Sequence, residues 1–139
     1  MQLKEIQTKE DIAKTFMVLL QIYEDLDAET YVENMLDMMQ NGYKIAAVFE
    51  EEICVGVVGI DILKKLNLGK IIEIEDFMIH RQRRGIGVGK MLLKWVEWQA
   101  MNFNCQYIIA NLQTKRKESQ KIFAREKFIL DGFHFTKKC

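Results

Sequence analysis

Three glycines at alternate positions, Gly85-Ile-Gly-Val-Gly89, stand between an apolar β-branched run, Lys70–Ile79, and a run of helical spacing that starts at Lys90. Nothing else in the chain limits the fold as much. Glycine enters backbone conformations that other residues resist, so the segment reads as a tight junction from a strand to a helix. The first N–H groups of a helix lack partners within it and lie at the positive end of its dipole. Such a junction suits an anion, phosphates above all. Arg83, Arg84 and Lys90 add positive charge around it.

The rest of the chain sets this junction in a longer alternation. Gln2–Ile6 reads as a short strand, and Thr8 as an N-cap with Asp11 three residues on. Ile12, Phe16, Leu19 and Tyr23 then share one side of a helix reaching to about Leu26. A second helix over Ala28–Gln40, with Tyr31, Met35 and Met38/Met39 on its apolar side, stops at Asn41–Gly42. Strands follow at Tyr43–Phe49, Ile53–Leu63 and Lys70–Ile79, the first two flanking an acidic turn, Glu50–Glu52. After the glycines, Met91, Leu92, Trp95 and Trp98/Met101 mark a helical apolar face. Gln106–Leu112 reads as a strand and Lys115–Glu126 as a basic helix. Phe128–Leu130 and Phe133–Thr136 read as a closing hairpin around Asp131–Gly132. The order β-α-α-β-β-β-α-β-α-β-β predicts an α/β fold: a mixed sheet with hairpins and two βαβ crossovers, covered by helices.

Length and composition narrow the function classes. With 139 residues, no proline and no linker-like stretch, residues 1–139 read as a single domain. Lys plus Arg equals Asp plus Glu at 20 each, which argues against nucleic acid as a partner. Cys54, Cys105 and Cys139 have no metal-ligand spacing, so no metal is predicted, and reduced thiols point to the cytoplasm. No apolar run approaches the ~18 residues of a membrane span, and Met1–Phe16 lacks the pattern of a signal peptide. A homodimer is compatible with all of this.

Two nucleotide templates fail at the glycines. A P-loop needs four residues before its Gly-Lys and then a Ser or Thr; here Gly85 to Gly89 spans three, and Met91 follows Lys90. The dinucleotide pattern GxGxxG is not matched by GxGxG, and no acid follows at ~20 residues to take a ribose. A third template fits. Gln82-Arg-Arg-Gly-Ile-Gly87 is Q-x-x-G-x-G, and it resembles the acyl-CoA pyrophosphate loop of the GNAT superfamily of N-acetyltransferases. The preceding Ile72–His80, "IEIEDFMIH", is similar to that family's fourth strand, and the element order matches over essentially the whole chain.

The resemblance implies acetyl-CoA as co-substrate, with its pyrophosphate on Gln82, Arg83, Arg84, Gly85, Ile86, Gly87, Val88, Gly89 and Lys90. It implies a bulged fourth strand that splays from the fifth, leaving a cleft for the pantetheine along Met78 and Ile79. The backbone amide of Met78 would polarise the thioester carbonyl. At the C-terminal end, Lys127-Phe128 aligns with the family's Gly-Phe, which sets Phe123 at the position of the tyrosine general acid, beside the cofactor. The alternative alignment on Gly132-Phe133 sets Phe128 there. Either way a phenylalanine replaces the tyrosine. A thiolate with a pKa near ~8.5 is a tolerable leaving group without it.

An amine acceptor must lose a proton before it attacks. Glu75 is the favoured base or water-positioning residue, Asp76 the second choice, and strand alternation points them to opposite faces unless a bulge intervenes. His80, His134 and Cys105 read as surface or packing residues, Trp95 and Trp98 as core and flank, and Lys115–Lys121 either as a solvated helix face or as a contact for the cofactor's adenosine phosphate. The expected activity is direct acetyl transfer to a small-molecule or protein amine. The competing reading is a catalytically weak acyl-CoA-binding module with a regulatory or interaction role.

Overall fold

The computed structural model of the chain describes all 139 residues. Strand β1 (Gln2–Ile6) pairs antiparallel with β2 (Lys44–Glu50), β2 with β3 (Ile53–Lys65), and β3 with β4 (Gly69–Ile79). Strand β5 (Tyr107–Ala110) runs parallel to β4, so the sheet is mixed and ordered β1-β2-β3-β4-β5. The α/β class read from the sequence is the class observed.

Helices α1 (Lys9–Leu20) and α2 (Ala28–Gln40) cover one face, where Ile12, Leu19 and Tyr31 meet Ile45, Val57 and Met78. Helices α3 (Val88–Asn102) and α4 (Lys117–Arg125) cover the other, where Leu92, Trp95 and Phe123 meet Val58, Ile72, Ile74 and Phe77. Successive residues of β2 divide between the two cores, Ile45 and Ala47 on one side, Ala46 and Val48 on the other. A strand buried on both faces is apolar throughout, which is how β2 and β3 read.

Local signals set most boundaries. Thr8 has extended backbone and its hydroxyl accepts from Asp11 N at 3.1 Å, capping α1. Asp27 does the same for α2, accepting from Thr30 N at 3.0 Å. That cap shortens α1: it ends at Leu20 rather than near Leu26, because short acids such as Asp25 and Asp27 favour turns and caps over helix interior. Gly42, at φ +100°, ends the second helical segment, and Glu51, at φ +58°, turns the β2–β3 hairpin.

The C-terminal end departs from expectation. No strand follows α4, so the closing hairpin and the second βαβ crossover are not formed; β4-α3-β5 is the crossover present. Arms of three and four residues are too short to hold a hairpin by themselves. Helix α4 itself closes with a full C-cap. Phe128 N donates to Phe123 O and Lys127 N to Ala124 O, a Schellman ending in which Lys127, at φ +71°, fills the left-handed position usually held by glycine. On α3 the buried face runs through Val88, Leu92, Trp95, Val96 and Gln99, whereas Trp98 and Met101 are exposed. Met35 is buried and Met38 exposed.

Candidate active site

Strand β4 carries two irregularities that make a site possible. Opposite β3, Gly59 pairs with Asp76 and the next residue, Ile60, pairs with Ile74, so Glu75 is left unopposed in a β-bulge. Opposite β5, pairing covers only Ile71–Ile74 against Tyr107–Ala110 and then stops. Beyond Ile74 the two strands part, and the edge of β4 faces an opening bounded by α4.

The bulge changes where the acids point. Ile74 and Phe77 both enter the α3–α4 core, so Glu75 and Asp76 lie together between two inward-facing residues instead of on opposite faces. Asp76 is held by two phenols: Tyr43 Oη donates to it at 2.6 Å and Tyr23 Oη at 3.0 Å. Burial, with Asp76 beside it, pushes the Tyr23 phenol up to about 12 and that of Tyr43 well above its usual value. Tyr43 reaches Asp76 because Gly59 has no side chain; a Cβ there would stand 1.5 Å from the phenol oxygen. Glu75 is exposed, and its carboxyl is raised above the ordinary 4.5, first by burial of the group and then by Glu73, Asp61 and Asp76. Glu73 itself accepts from Asn111 Nδ2 at 2.6 Å.

The direction of the β4 amides corrects one expectation. His80 N donates to Val55 O at 2.8 Å, and Met78 stands opposite Val57 in the same antiparallel ladder. Peptide groups along a strand alternate in direction, so Met78 and His80 point into the sheet. Phe77 and Ile79 point to the open edge instead, and the Phe77 carbonyl is met there by the Arg116 guanidinium. The amide available at the opening is that of Phe77, not that of Met78.

The glycine junction follows directly. After a single 3-10 turn, Arg81–Arg83, Gly85 and Gly87 adopt φ +84° and +89°, which explains glycine at both positions. Gly89 serves a different need: it is buried, and a Cβ would press on Ile79 at 3.1 Å and Ile122 at 3.3 Å. Val88 is core, against Gly56, so only its backbone belongs to the loop. The first turn of α3 has no side-chain cap and no acid; its first backbone bond runs from Met91 N to Gly87 O. Gln82, Arg84, Ile86 and Lys90 are exposed around it. Arg83 is committed elsewhere, to Glu50 at 2.7 Å, and ties the loop to the β2–β3 hairpin.

Between loop and acids runs a narrow cavity bounded by Val18 and Ile22 on one side, Met78 and Ile79 along β4, and Ser119 and Ile122 on α4. Arg81, Arg84 and Arg116 line it as well. Arg116 is half-buried and has no carboxylate partner; it donates to Phe77 O and, at 3.1 Å, to Ser119 Oγ. Burial lowers its pKa from 12.5, which leaves it a cation at neutral pH. Phe123 is not on the cavity wall. It is 5% exposed, with ring centroids 4.9 Å from Phe77 and 4.8 Å from Phe128, because its helix face points into the core.

Tyr23, Tyr43, Gly59 and Arg116 escaped the sequence reading. Tyr23 looked like part of a helix face and Arg116 like one more cation in a basic run. Gly59 carried a usable signal, since glycine inside an apolar strand marks the close approach of another group.

A sequence model described as the acetyltransferase (GNAT) family matches residues 7–128. The chain belongs to the GNAT acetyltransferase family. Its sequence is 22% identical over 137 residues to an uncharacterized N-acetyltransferase, YhdJ, of Bacillus subtilis (strain 168), covering 97% of this chain and 96% of that protein. Among solved structures, a ribosomal-protein-alanine N-acetyltransferase from Brucella melitensis biovar Abortus 2308 superposes with a TM-score of 0.86 at 14% identity, over 100% of both chains. AAC(6')-Iy, in complex with the bisubstrate analog CoA-S-monomethyl-acetylneamine, superposes with a TM-score of 0.81 at 15% identity, again over 100% of both chains.

Proposed function

We propose that this GNAT protein is an acetyl-CoA-dependent N-acetyltransferase of the cytoplasm. It moves an acetyl group to a primary amine by direct attack within a ternary complex. The observation that carries this reading is the opening between β4 and β5, which starts at Ile74 and Ala110 and runs to a helix N-terminus free of acids and side-chain caps.

That junction fits the co-substrate's pyrophosphate. Gly85 and Gly87 expose their backbone, and the unpartnered amides at the start of α3, with Arg84 and Lys90 nearby, receive negative charge. Bound acetyl-CoA supplies the electrophile, a thioester carbonyl. The Phe77 N–H, on the open edge of β4, donates to the oxygen on which charge develops. Glu75, on the bulge, takes the amine's proton directly or through a water, and its raised pKa suits it better to that work than an ordinary glutamate. Asp76, bridged by Tyr23 and Tyr43, fixes the wall of the acceptor side. As nitrogen bonds to the acyl carbon, the C–S bond breaks. The Arg116 cation at the β4 edge then favours the departing thiolate where Phe123 offers no hydroxyl. Acids at Asp61, Glu73, Glu75 and Asp76 favour a cationic small-molecule amine as acceptor.

Release of free thiol from acetyl-CoA across a panel of amines and peptides tests the reading. Glu75→Gln should lower kcat by about 10²-fold or more with the Kd for acetyl-CoA unchanged. In the wild type the acid limb of kcat/KM should lie above pH 4.5, because the basic form is lost as pH falls through a raised pKa. The second reading, an acyl-CoA-binding module of weak activity, is favoured by the burial of Phe123. Acetyl-CoA binding without thiol release from any acceptor would establish it, and failure to bind CoA would remove both.

A further inference from the structure

Acids and cations near the opening are sorted to opposite sides of one hollow. An open cavity of about 550 Å³ is lined by Ile22, Tyr23, Glu24, Asp25, Leu26 and Lys115, a size suited to a small molecule. Ile22 also lines the narrow cavity along β4, so the two adjoin. Tyr23 Oη donates to Asp76 at 3.0 Å, which joins the hollow to the acids of β4. Glu24 and Asp25 come from the segment between α1 and α2, whereas Lys115 and Arg116 come from the segment between β5 and α4.

Arg116 is the group whose bonding the fold leaves unfinished. Both of its hydrogen bonds leave from Nη2, one to Phe77 O and one, at 3.1 Å, to Ser119 Oγ. Nε and Nη1 donate to nothing in the protein, and no salt bridge includes the guanidinium. Asp76, the residue before Phe77, is already taken by Tyr23 and Tyr43. A half-buried cation without a counter-charge costs free energy. A carboxylate is the partner that its planar fork fits best.

We infer that the acceptor is a free α-amino acid with an apolar side chain. Its ammonium faces Glu75 and Asp76, its carboxylate takes the free donors of Arg116 with Lys115 alongside, and its side chain lies against Ile22 and Leu26. This rests on the reading of the cleft as an acyl-transfer site, and it adds a carboxylate to the cationic acceptor. The guanidinium sits at Phe77 and the acid is Asp76, so cation and acid are neighbours along β4. An amine and a carboxylate on one carbon can meet both. A polyamine would set a second cation against Arg116 and Lys115, and a protein N-terminus would offer only an amide there. In the transfer, the ammonium gives one proton to Glu75, the nitrogen bonds to the acetyl carbon, and the C–S bond breaks. The second proton passes through water to the departing thiolate, leaving an N-acetyl amino acid and CoA.

Steady-state thiol release with leucine, leucinamide and isoamylamine tests the inference, since the three share a side chain and only leucine carries the carboxylate. Leucine should exceed the other two in kcat/KM by about 10-fold or more. The amine of leucinamide is the more easily deprotonated, so a preference for leucine cannot come from nucleophilicity. Arg116→Met should lower kcat for every acceptor but raise KM for leucine alone, by about 10-fold, with Arg116→Lys recovering part of the loss in KM. Calorimetry of leucine against the wild-type and Arg116→Met complexes with CoA should show the same loss of affinity with no transfer taking place. Leucinamide or isoamylamine matching leucine, or a KM for leucine that Arg116→Met leaves unchanged, would overturn the inference and leave acetyl transfer standing. Thiol release from no amine would instead remove acetyl transfer. Calorimetry would then decide the inference alone, and no binding of leucine to the CoA complex would overturn it.

Discussion

Replacing Gly59 by alanine puts a methyl group where the Tyr43 phenol already lies. The added Cβ would stand 1.5 Å from Tyr43 Oη and 2.2 Å from Cζ, while Gly59 has no positive φ, so steric overlap is the whole effect. Tyr43 is 3% exposed and cannot swing into solvent. The ring must shift within a packed core, at a cost of about 1–3 kcal/mol. Its 2.6 Å bond to the Asp76 carboxylate would be lost as well, at about 1.5–3 kcal/mol for a charged partner. Tyr23 still holds Asp76 from the other side, so a total near 3 kcal/mol is expected, a large share of the roughly 5–15 kcal/mol that holds a domain together. Urea unfolding followed by circular dichroism measures it. The decisive comparison is the same substitution in a Tyr43→Leu background, where the ring is gone and alanine should cost less than about 1 kcal/mol. Equal costs in the two backgrounds would refute the account of Gly59.

Lys127→Gly should stabilise the protein by about 0.5–1 kcal/mol, because a left-handed lysine gives up about 1–2 kcal/mol and glycine returns part of that as chain entropy; the midpoint of urea unfolding reads the change. Arg116→Met should lower kcat and leave the affinity of the α3 loop for CoA largely intact, with Arg116→Lys in between, as steady-state kinetics and calorimetry would show. Asp11 is held below its ordinary 3.8, first by its hydrogen bond from Lys4 at 2.8 Å and despite its burial. A lowered folded-state pKa means stability that is present above the unfolded value and lost as pH falls through the folded one, so the melting temperature should drop below about pH 4. Lys4→Met should flatten that drop in a pH series of thermal melts.

Much of the fold was legible because local chemistry and global order agree. Thr8, Gly42, the Glu50–Glu52 turn and the period-two burial of β2 each act within a few residues, where sequence spacing is a fair guide to space. The glycine junction was legible for the same reason, although its glycines do two jobs: Gly85 and Gly87 supply backbone angles, and Gly89 supplies room between β4 and α4. The closing hairpin failed as a prediction because an Asp-Gly turn states how a chain can reverse, not whether a neighbouring edge will hold it.

The site itself was half visible. Motif spacing, read through the resemblance to the GNAT family, pointed to the loop from Gln82 to Lys90, the acids on β4 and the phenylalanine in place of a tyrosine. The side to which Glu75 and Asp76 point depended on a bulge in β4, where Glu75 has no partner between Gly59 and Ile60 of β3. Which amide faces the opening depended on the same ladder, and it proved to be Phe77 rather than Met78. Tyr23 and Tyr43 reach Asp76 from 53 and 33 residues away, and Arg116 reaches Phe77 from 39. Turn chemistry and periodicity act between near neighbours along the chain. Contacts across such distances are set by how strands register and part, and that is a property of the packed sheet.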